Sequence, residues 1–320
     1  VSNRIEVIHG MPAADYHAAP GLSHSAMKDL IVSPFRFWHL HLNPERPERK
    51  ETEFMIFGRA LHSAVLDSDE VFESQFACEY IPPEGALDTV PQMREWYLSA
   101  TGNKAKGTTK AEVAAQCRAV PDCPPLVMDG EAAHLAQNQG KALLKADDWY
   151  RLAGCARALR REPEFQRLTE KGHAEVSYFV TDPETGVALK ARMDFVNPAT
   201  TLDIKTFSQM RGKTIDRSVA DAFYYEGYHR QAFTYTYIRK LAGEGIPEFV
   251  NSFAESEEPH EVRLKLANRS ALYWIEARNE VTRLIRLYAQ LTKEFGDRPW
   301  RTDAALDEMQ DEEIKALAWA

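Results

Sequence analysis

The chain has 320 residues, 44% of them hydrophobic and 27% charged, a balance ordinary for a soluble globular enzyme with one large domain or two modest ones. No apolar run approaches the roughly 18–20 residues of a membrane span, and the opening VSNRIEVIHG lacks the apolar core of a secretory signal, so a cytoplasmic protein with no membrane partner is expected. The net charge of −9 disfavours a protein coated with nucleic acid, but a basic cleft on an acidic chain escapes that argument, because a bound polyanion responds to local potential.

In chain order, residues 11–30 read as a polar lead-in and a helix capped by Ser23, with Met27 and Leu30 on its apolar face. Pro34 resets the chain, FRFWHLHL continues helically, and NPERPERKE at 43–51 is a charged, proline-broken loop. FMIFGRALHSAVL at 54–66 has the pattern of a buried helix. The stretch 82–130, with Pro82, Pro83, Pro121, Pro124 and Pro125 and the small polar run TGNKAKGTTK, reads as an irregular surface insertion. Helix returns over 130–161, with Asp147 or Asp148 as a cap for its second part. None of the four cysteines, Cys78, Cys117, Cys123 and Cys155, forms a CxxC pair, which points to reduced thiols and not to a zinc site.

The period then changes from helical to alternating. HAEVSYFV at 173–180, VALKARMDFV at 187–196 and TLDIKTF at 201–207 form a three-strand meander, joined by the turns DPETG and NPAT. In the second strand Val187, Leu189, Ala191, Met193 and Phe195 are expected on one face, with Lys190, Arg192 and Asp194 on the other. In the third, Asp203 and Lys205 share a face opposite Leu202 and Ile204. A Tyr-rich helix at 220–241, the strand pair EFVNSFAES and HEVRLKL, and a long amphipathic helix at 271–295 complete a mixed α/β domain with a helical N-terminal part.

The chemistry gathers on the meander. A four-residue turn between consecutive strands can set Asp194 beside Asp203, and two neighbouring carboxylates repel unless a cation lies between them or one protonates. A hard divalent ion, Mg²⁺ or Mn²⁺, meets that need, and Lys205 on the same face can hold an attacking water or steady a phosphoryl oxygen. Cross-strand ion pairing on a solvated face would give the same Asp-x-Lys pattern, so the strand alone does not decide between them.

Three blocks in order decide the direction of the reading. GRALH at 58–62, Asp194 followed by DIK at 203–205, and QAFTY at 231–235 resemble the G-x-x-x-H, Asp…D-x-K and Q-x-x-x-Y signatures of RecB-type nucleases of the PD-(D/E)xK superfamily. DYHAAPGLSHSAMKDLIVSPFRFWHLHL, FGRALHSAVLD and DAFYYEGYHRQ further resemble the RecE-type (exonuclease VIII) group, over about residues 15–255 and weakly across 82–130. The resemblance implies one nuclease domain over 1–320: a restriction-endonuclease-like core at about 170–268, a mixed central sheet flanked by helices, and a helical part at 15–66. It implies His62, Asp194, Asp203 and the Ile204 carbonyl as ligands of Mg²⁺ or Mn²⁺, two ions per site, Glu175 as a further acidic residue that binds a metal or positions a water, and Lys205 with Asp203, Asp194 and Glu175 as the catalytic set. Gln231 and Tyr235 would meet the DNA backbone, unless Tyr235 is core; Lys190 and Arg192 would either contact phosphate or offset the carboxylates.

Relatives with an iron–sulfur cluster hold it by one cysteine before the nuclease motifs and three after. Here all four lie between His62 and Glu175, so no cluster is expected. The resemblance further implies 5′-to-3′ resection of double-stranded DNA ends, a prophage recombination setting, a single-strand-annealing partner and a ring-like homo-oligomer. Rival expectations are a structure-specific or restriction-type endonuclease on the same fold and a catalytically silent DNA-binding protein. No GxxxxGK[ST] loop is present, which excludes a P-loop NTPase.

Overall fold

Strand-forming residues are concentrated between 173 and 266, and helices surround them in sequence. A computed structural model describes residues 4–46 and 51–301, so the inner part of the loop expected at 43–51 lies outside the described residues. Strand β1 (Ile5–Ile8) is followed by helices α1 (Ala13–Ala18), α2 (His24–Val32) and α3 (Pro34–Phe37), a π-helical turn at Trp38–Leu42, and α4 (Glu53–Leu66) and α5 (Asp69–Gln75). Next come β2 (Phe76–Cys78), α6 (Val90–Thr101), α7 (Lys110–Arg118), α8 (Val127–Gln137), β3 (Ala142–Leu144), α9 (Ala146–Arg161) and α10 (Pro163–Thr169). The meander is β4 (His173–Thr181), β5 (Ala188–Val196) and β6 (Thr200–Phe207). Helices α11 (Ile215–Tyr225) and α12 (Tyr228–Leu241) cross to β7 (Glu248–Glu255) and β8 (Val262–Leu266), and α13 (Leu272–Phe295) follows.

The main sheet has the order β1-β4-β5-β6-β7-β8 and is antiparallel except at β6–β7. That single parallel pair exists because α11 and α12 carry the chain back across the sheet, as a parallel connection requires. One face packs Val176, Tyr178, Leu189, Met193, Phe249 and Phe253 against α2, α12 and α13. The other packs Phe195, Leu202, Ile204 and Val250 against α4, α9 and α10. Among the described residues no helix is long and apolar enough to cross a membrane.

Several expectations need correction. Strand β1, which adds to the edge of β4, was not anticipated. The helix expected at 220–241 is two, broken at Gly227, whose φ of 76° suits the left-handed region that glycine tolerates. Neither Asp147 nor Asp148 caps α9; both lie in its first turn, where the helix dipole favours carboxylates.

The stretch 82–130 is not irregular. It holds α6, α7 and the start of α8 around a small core of Met93, Val113, Ala114, Cys117 and Leu126. Its threonines are caps: Thr89 with Gln92 and Thr109 with Glu112 each form a reciprocal capping box, and Pro91 sits in the first turn of α6, where proline costs no hydrogen bond.

Finally, Phe195 does not share the face of Met193. Met193 packs into one core and Phe195 into the other, and on β4 Val176 and Ala174 divide the same way. Both strands therefore turn over at the facing residues Glu175 and Asp194, and Glu175 carries the turn with a φ of 53°, rare for a side chain other than glycine.

Candidate active site

The turnover of β4 and β5 opens the sheet where the charged residues meet. β5 and β6 pair only at Phe195–Leu202 and Val196–Thr201; the next pair in that register would be Asp194 and Asp203, but the ladder stops there. The Ile204 N–H, deprived of a strand partner, donates to Asp194 Oδ2 at 2.7 Å. The carboxylate thus closes a gap in the sheet while its other oxygen remains available.

Helix α4 brings His62 over this gap. Phe57, Leu61 and Ala64 bury its apolar stripe, which leaves the His62 ring facing the strands. Nε2 lies 3.1 Å from the Ile204 carbonyl oxygen and 3.5 Å from Asp194 Oδ2, while Nδ1 lies 3.8 Å from Glu175 Oε1. One ligand atom each from His62, Glu175 and Asp194 fall within 4.8 Å of one another. One imidazole, two carboxylates and an adjacent backbone carbonyl are hard or borderline donors that suit Mg²⁺ or Mn²⁺.

Asp203 occupies the neighbouring position. Its Oδ1 accepts from Gln231 Nε2 at 2.7 Å, and its Oδ2 accepts from Asn251 Nδ2 at 2.8 Å and Lys205 Nζ at 2.6 Å. Asn251 is its register partner on β7, and Gln231 reaches down from α12. The Lys205 ammonium also lies 5.2 Å from the centre of the Tyr228 ring, within range of a cation–π attraction.

The ionisation states follow from this crowding. Burial disfavours a charged His62, but the charges of Asp194 and Glu175 outweigh it and push its pKa up to about 9. Burial raises Asp194 to about 6, with His62 pulling against the rise and Asp203 adding to it. Glu175 is held below the usual carboxylate range: burial opposes this, but His62 and Arg192 prevail. Lys205 stays cationic, since Asp203 and Asp194 overcome its burial. Glu175 and Lys205 are thus held in their charged forms by their partners, whereas burial works against the charge of Asp194.

The remaining expected residues take varied positions. Arg192 ion-pairs with Glu175, so it offsets a carboxylate. Tyr235 is buried and donates its hydroxyl proton to the Arg192 carbonyl at 3.1 Å. Gln231, as described, bonds Asp203. Lys190 lies outside the cluster: its buried ammonium donates to the carbonyls of Tyr16, His17 and Ala19 and so clamps the end of α1. With three N–H groups and three carbonyls, it has no donor left for phosphate.

Three residues near the site escaped sequence reasoning. Asn251 was visible only as one of several polar residues in strand β7, and Tyr228 only as one tyrosine among several. His24, buried at the start of α2, has an unpartnered Nε2. Burial first, then the charges of Lys28, Arg230 and Lys205, drive its pKa down to about 3, so it is neutral.

Comparison with known proteins bears on this geometry. Residues 23–301 match the family model described as a PDDEXK-like domain of unknown function (DUF3799). The chain belongs to this PDDEXK-like family. The match runs from the start of α2 through the whole site and α13, leaving β1 and α1 outside it. A crystal structure from Eubacterium rectale, provisionally described as an exonuclease, superimposes with a TM-score of 0.52 at 14% identity, covering 87% of this chain and 86% of that one. At that identity the likeness establishes a shared fold. No curated protein matches significantly.

Proposed function

We propose that the chain is a metal-dependent deoxyribonuclease, acting as a RecE-like exonuclease that resects double-stranded DNA 5′-to-3′. The observation that carries this reading is the opening of the sheet at Asp194, where His62, Glu175 and Asp194 converge beside the Asp203–Lys205 pair. His62, Glu175, Asp194 and the Ile204 carbonyl would hold a Mg²⁺ or Mn²⁺ ion, and Asp203 beside them would serve a second. Bound there, the ions supply electrostatic stabilisation of charge developing on phosphate oxygens.

The chain's own residues do the positioning. Lys205 keeps its proton on Nζ and, while donating to Asp203, has two further N–H bonds to offer a phosphate oxygen or an attacking water. Gln231 and Asn251 hold the Asp203 carboxylate in one orientation, and Arg192 does the same for Glu175. The bonds from Gln231 and Tyr235 to other site groups favour a role in ordering the site over direct contact with DNA.

End resection is supported by the RecE-like segment through α2 and α3 and by the exonuclease description of the Eubacterium rectale structure. A homo-oligomeric ring around the duplex would reconcile DNA binding with a net charge of −9, and a strand-annealing protein would take up the 3′ single strand produced. The test is degradation of linear duplex against covalently closed plasmid, with 5′ and 3′ labels and light scattering for mass. Loss of linear DNA from the 5′ ends by an oligomer, with plasmid spared, is expected. A monomer that nicks closed plasmid as fast as it degrades linear DNA would replace this reading with an endonuclease.

A further inference from the structure

Helix α12 has a second working face. Gln231 and Tyr235 turn toward the site, whereas Phe233, Thr236, Tyr237 and Lys240, at three- and four-residue steps, line a separate cavity of about 330 Å³ with Trp274 and Arg278 of α13. That volume is within the range of small-ligand sites.

The lining is chemically specific. Phe233 and Tyr237 lie nearly parallel, 11° apart, and Trp274 stands at 70° to Phe233 with ring centres 5.5 Å apart, so the rings form an aromatic corner. Thr236 is buried, and its hydroxyl has no hydrogen-bond partner, although a helical threonine could bond the preceding turn. The two carboxylates in the wall are already engaged: Asp182 accepts from Tyr237 and Thr185, and Glu184 pairs with Arg286. The side chains of Lys240 and Arg278 have no hydrogen-bond or ion-pair partner among the described residues, and the Arg269 guanidinium bonds only the Ile246 carbonyl. A mouth with three cations that lack a carboxylate partner is unexpected on a chain of net charge −9.

We infer that this cavity binds a nucleotide unit, a base with its phosphate, away from the catalytic cluster. The aromatic corner offers a face for the base, the Thr236 hydroxyl a partner for a polar edge, and Lys240, Arg269 and Arg278 a seat for the phosphate. The unit is either a free nucleotide or one residue of a single strand. The inference does not depend on the nuclease reading, because binding can be followed with EDTA present.

Calorimetric titration of the full chain in EDTA tests it, with deoxyadenosine monophosphate, deoxyadenosine, inorganic phosphate and a short oligothymidylate. Saturable 1:1 binding of the nucleotide, at least about tenfold tighter than nucleoside or phosphate alone, is expected for the free ligand. Binding of the oligonucleotide alone, weakened by the same cavity substitutions, identifies a strand as the source. Lys240→Glu with Arg278→Glu should abolish the cavity-dependent binding, and Thr236→Val should weaken it several-fold. Asp203→Asn should leave nucleotide binding unchanged. If neither ligand saturates by about millimolar concentration, the inference is wrong. It is equally wrong if the double variant binds like wild type.

Discussion

The opened sheet around Asp194 and the helical insertion around Met93 are built on opposite principles. In the insertion, apolar residues fill a small core, and the polar groups, the capping boxes of Thr89 and Thr109 among them, lie at the surface. At the sheet, His62, Glu175, Asp194, Asp203 and Lys205 are packed against one another, and Glu175 adopts a backbone conformation that side chains avoid. Buried charges of this kind add little stability compared with apolar residues of similar size, and strained residues cluster where function demands them. The difference teaches that the insertion is arranged for folding and the sheet opening for chemistry, so substitutions in the two regions should separate activity from stability.

The sharpest separation is expected at Lys205. Lys205→Ala should reduce phosphodiester cleavage by about a thousandfold, the scale of losing a main electrostatic group, while circular dichroism retains the native spectrum. Substantial cleavage by this variant would remove the ammonium from the reaction. Lys190, a lysine of the same sheet that clamps α1, should behave in the opposite way. Lys190→Met should lower the unfolding free energy in urea by about 2–4 kcal/mol by leaving three carbonyls without their donor, with activity per folded molecule retained. A variant as stable as wild type but inactive would instead give Lys190 a role in the reaction.

Asn251 falls between these extremes. Asn251→Ala should cut turnover by about 10- to 100-fold, as removing a group that orients a ligand does, and metal titration should show weakened half-saturation. An unchanged metal dependence would make Asn251 a packing residue. The smallest effect is expected at the insertion's caps. Thr109→Ala should cost about 1 kcal/mol, seen as faster amide exchange in α7, with cleavage unaltered. If cleavage falls as well, the insertion takes part in substrate handling and the contrast between the regions breaks down.

The same contrast explains what could be read from sequence. The site was legible because its residues lie at fixed steps on strands: Asp194, Asp203 and Lys205 alternate with apolar residues, and G-x-x-x-H places His62 on a helix. The turnover at Glu175 was not, since no local pattern announces a left-handed glutamate, and so Phe195 was assigned to the wrong face. The insertion was misread for a different reason. Its prolines and threonines look like loop residues until Thr89–Gln92 and Thr109–Glu112 are recognised as capping boxes, which mark helix starts as firmly as any apolar period. Lys190 shows the limit of strand alternation: it shares a face with Asp194 in the sequence, yet α1 lies over it and takes all its donors.

The central claim, that the cluster at the sheet opening is a metal-dependent centre for phosphodiester hydrolysis, is tested most directly by one cleavage measurement. Purified wild type and Asp203→Asn are incubated with end-labelled linear duplex DNA under Mg²⁺, Mn²⁺ and EDTA. Cleavage by wild type with either metal, none with EDTA, and none by Asp203→Asn under any condition is the predicted result. Cleavage that persists in EDTA, or an Asp203→Asn protein that cuts as wild type does, would contradict it.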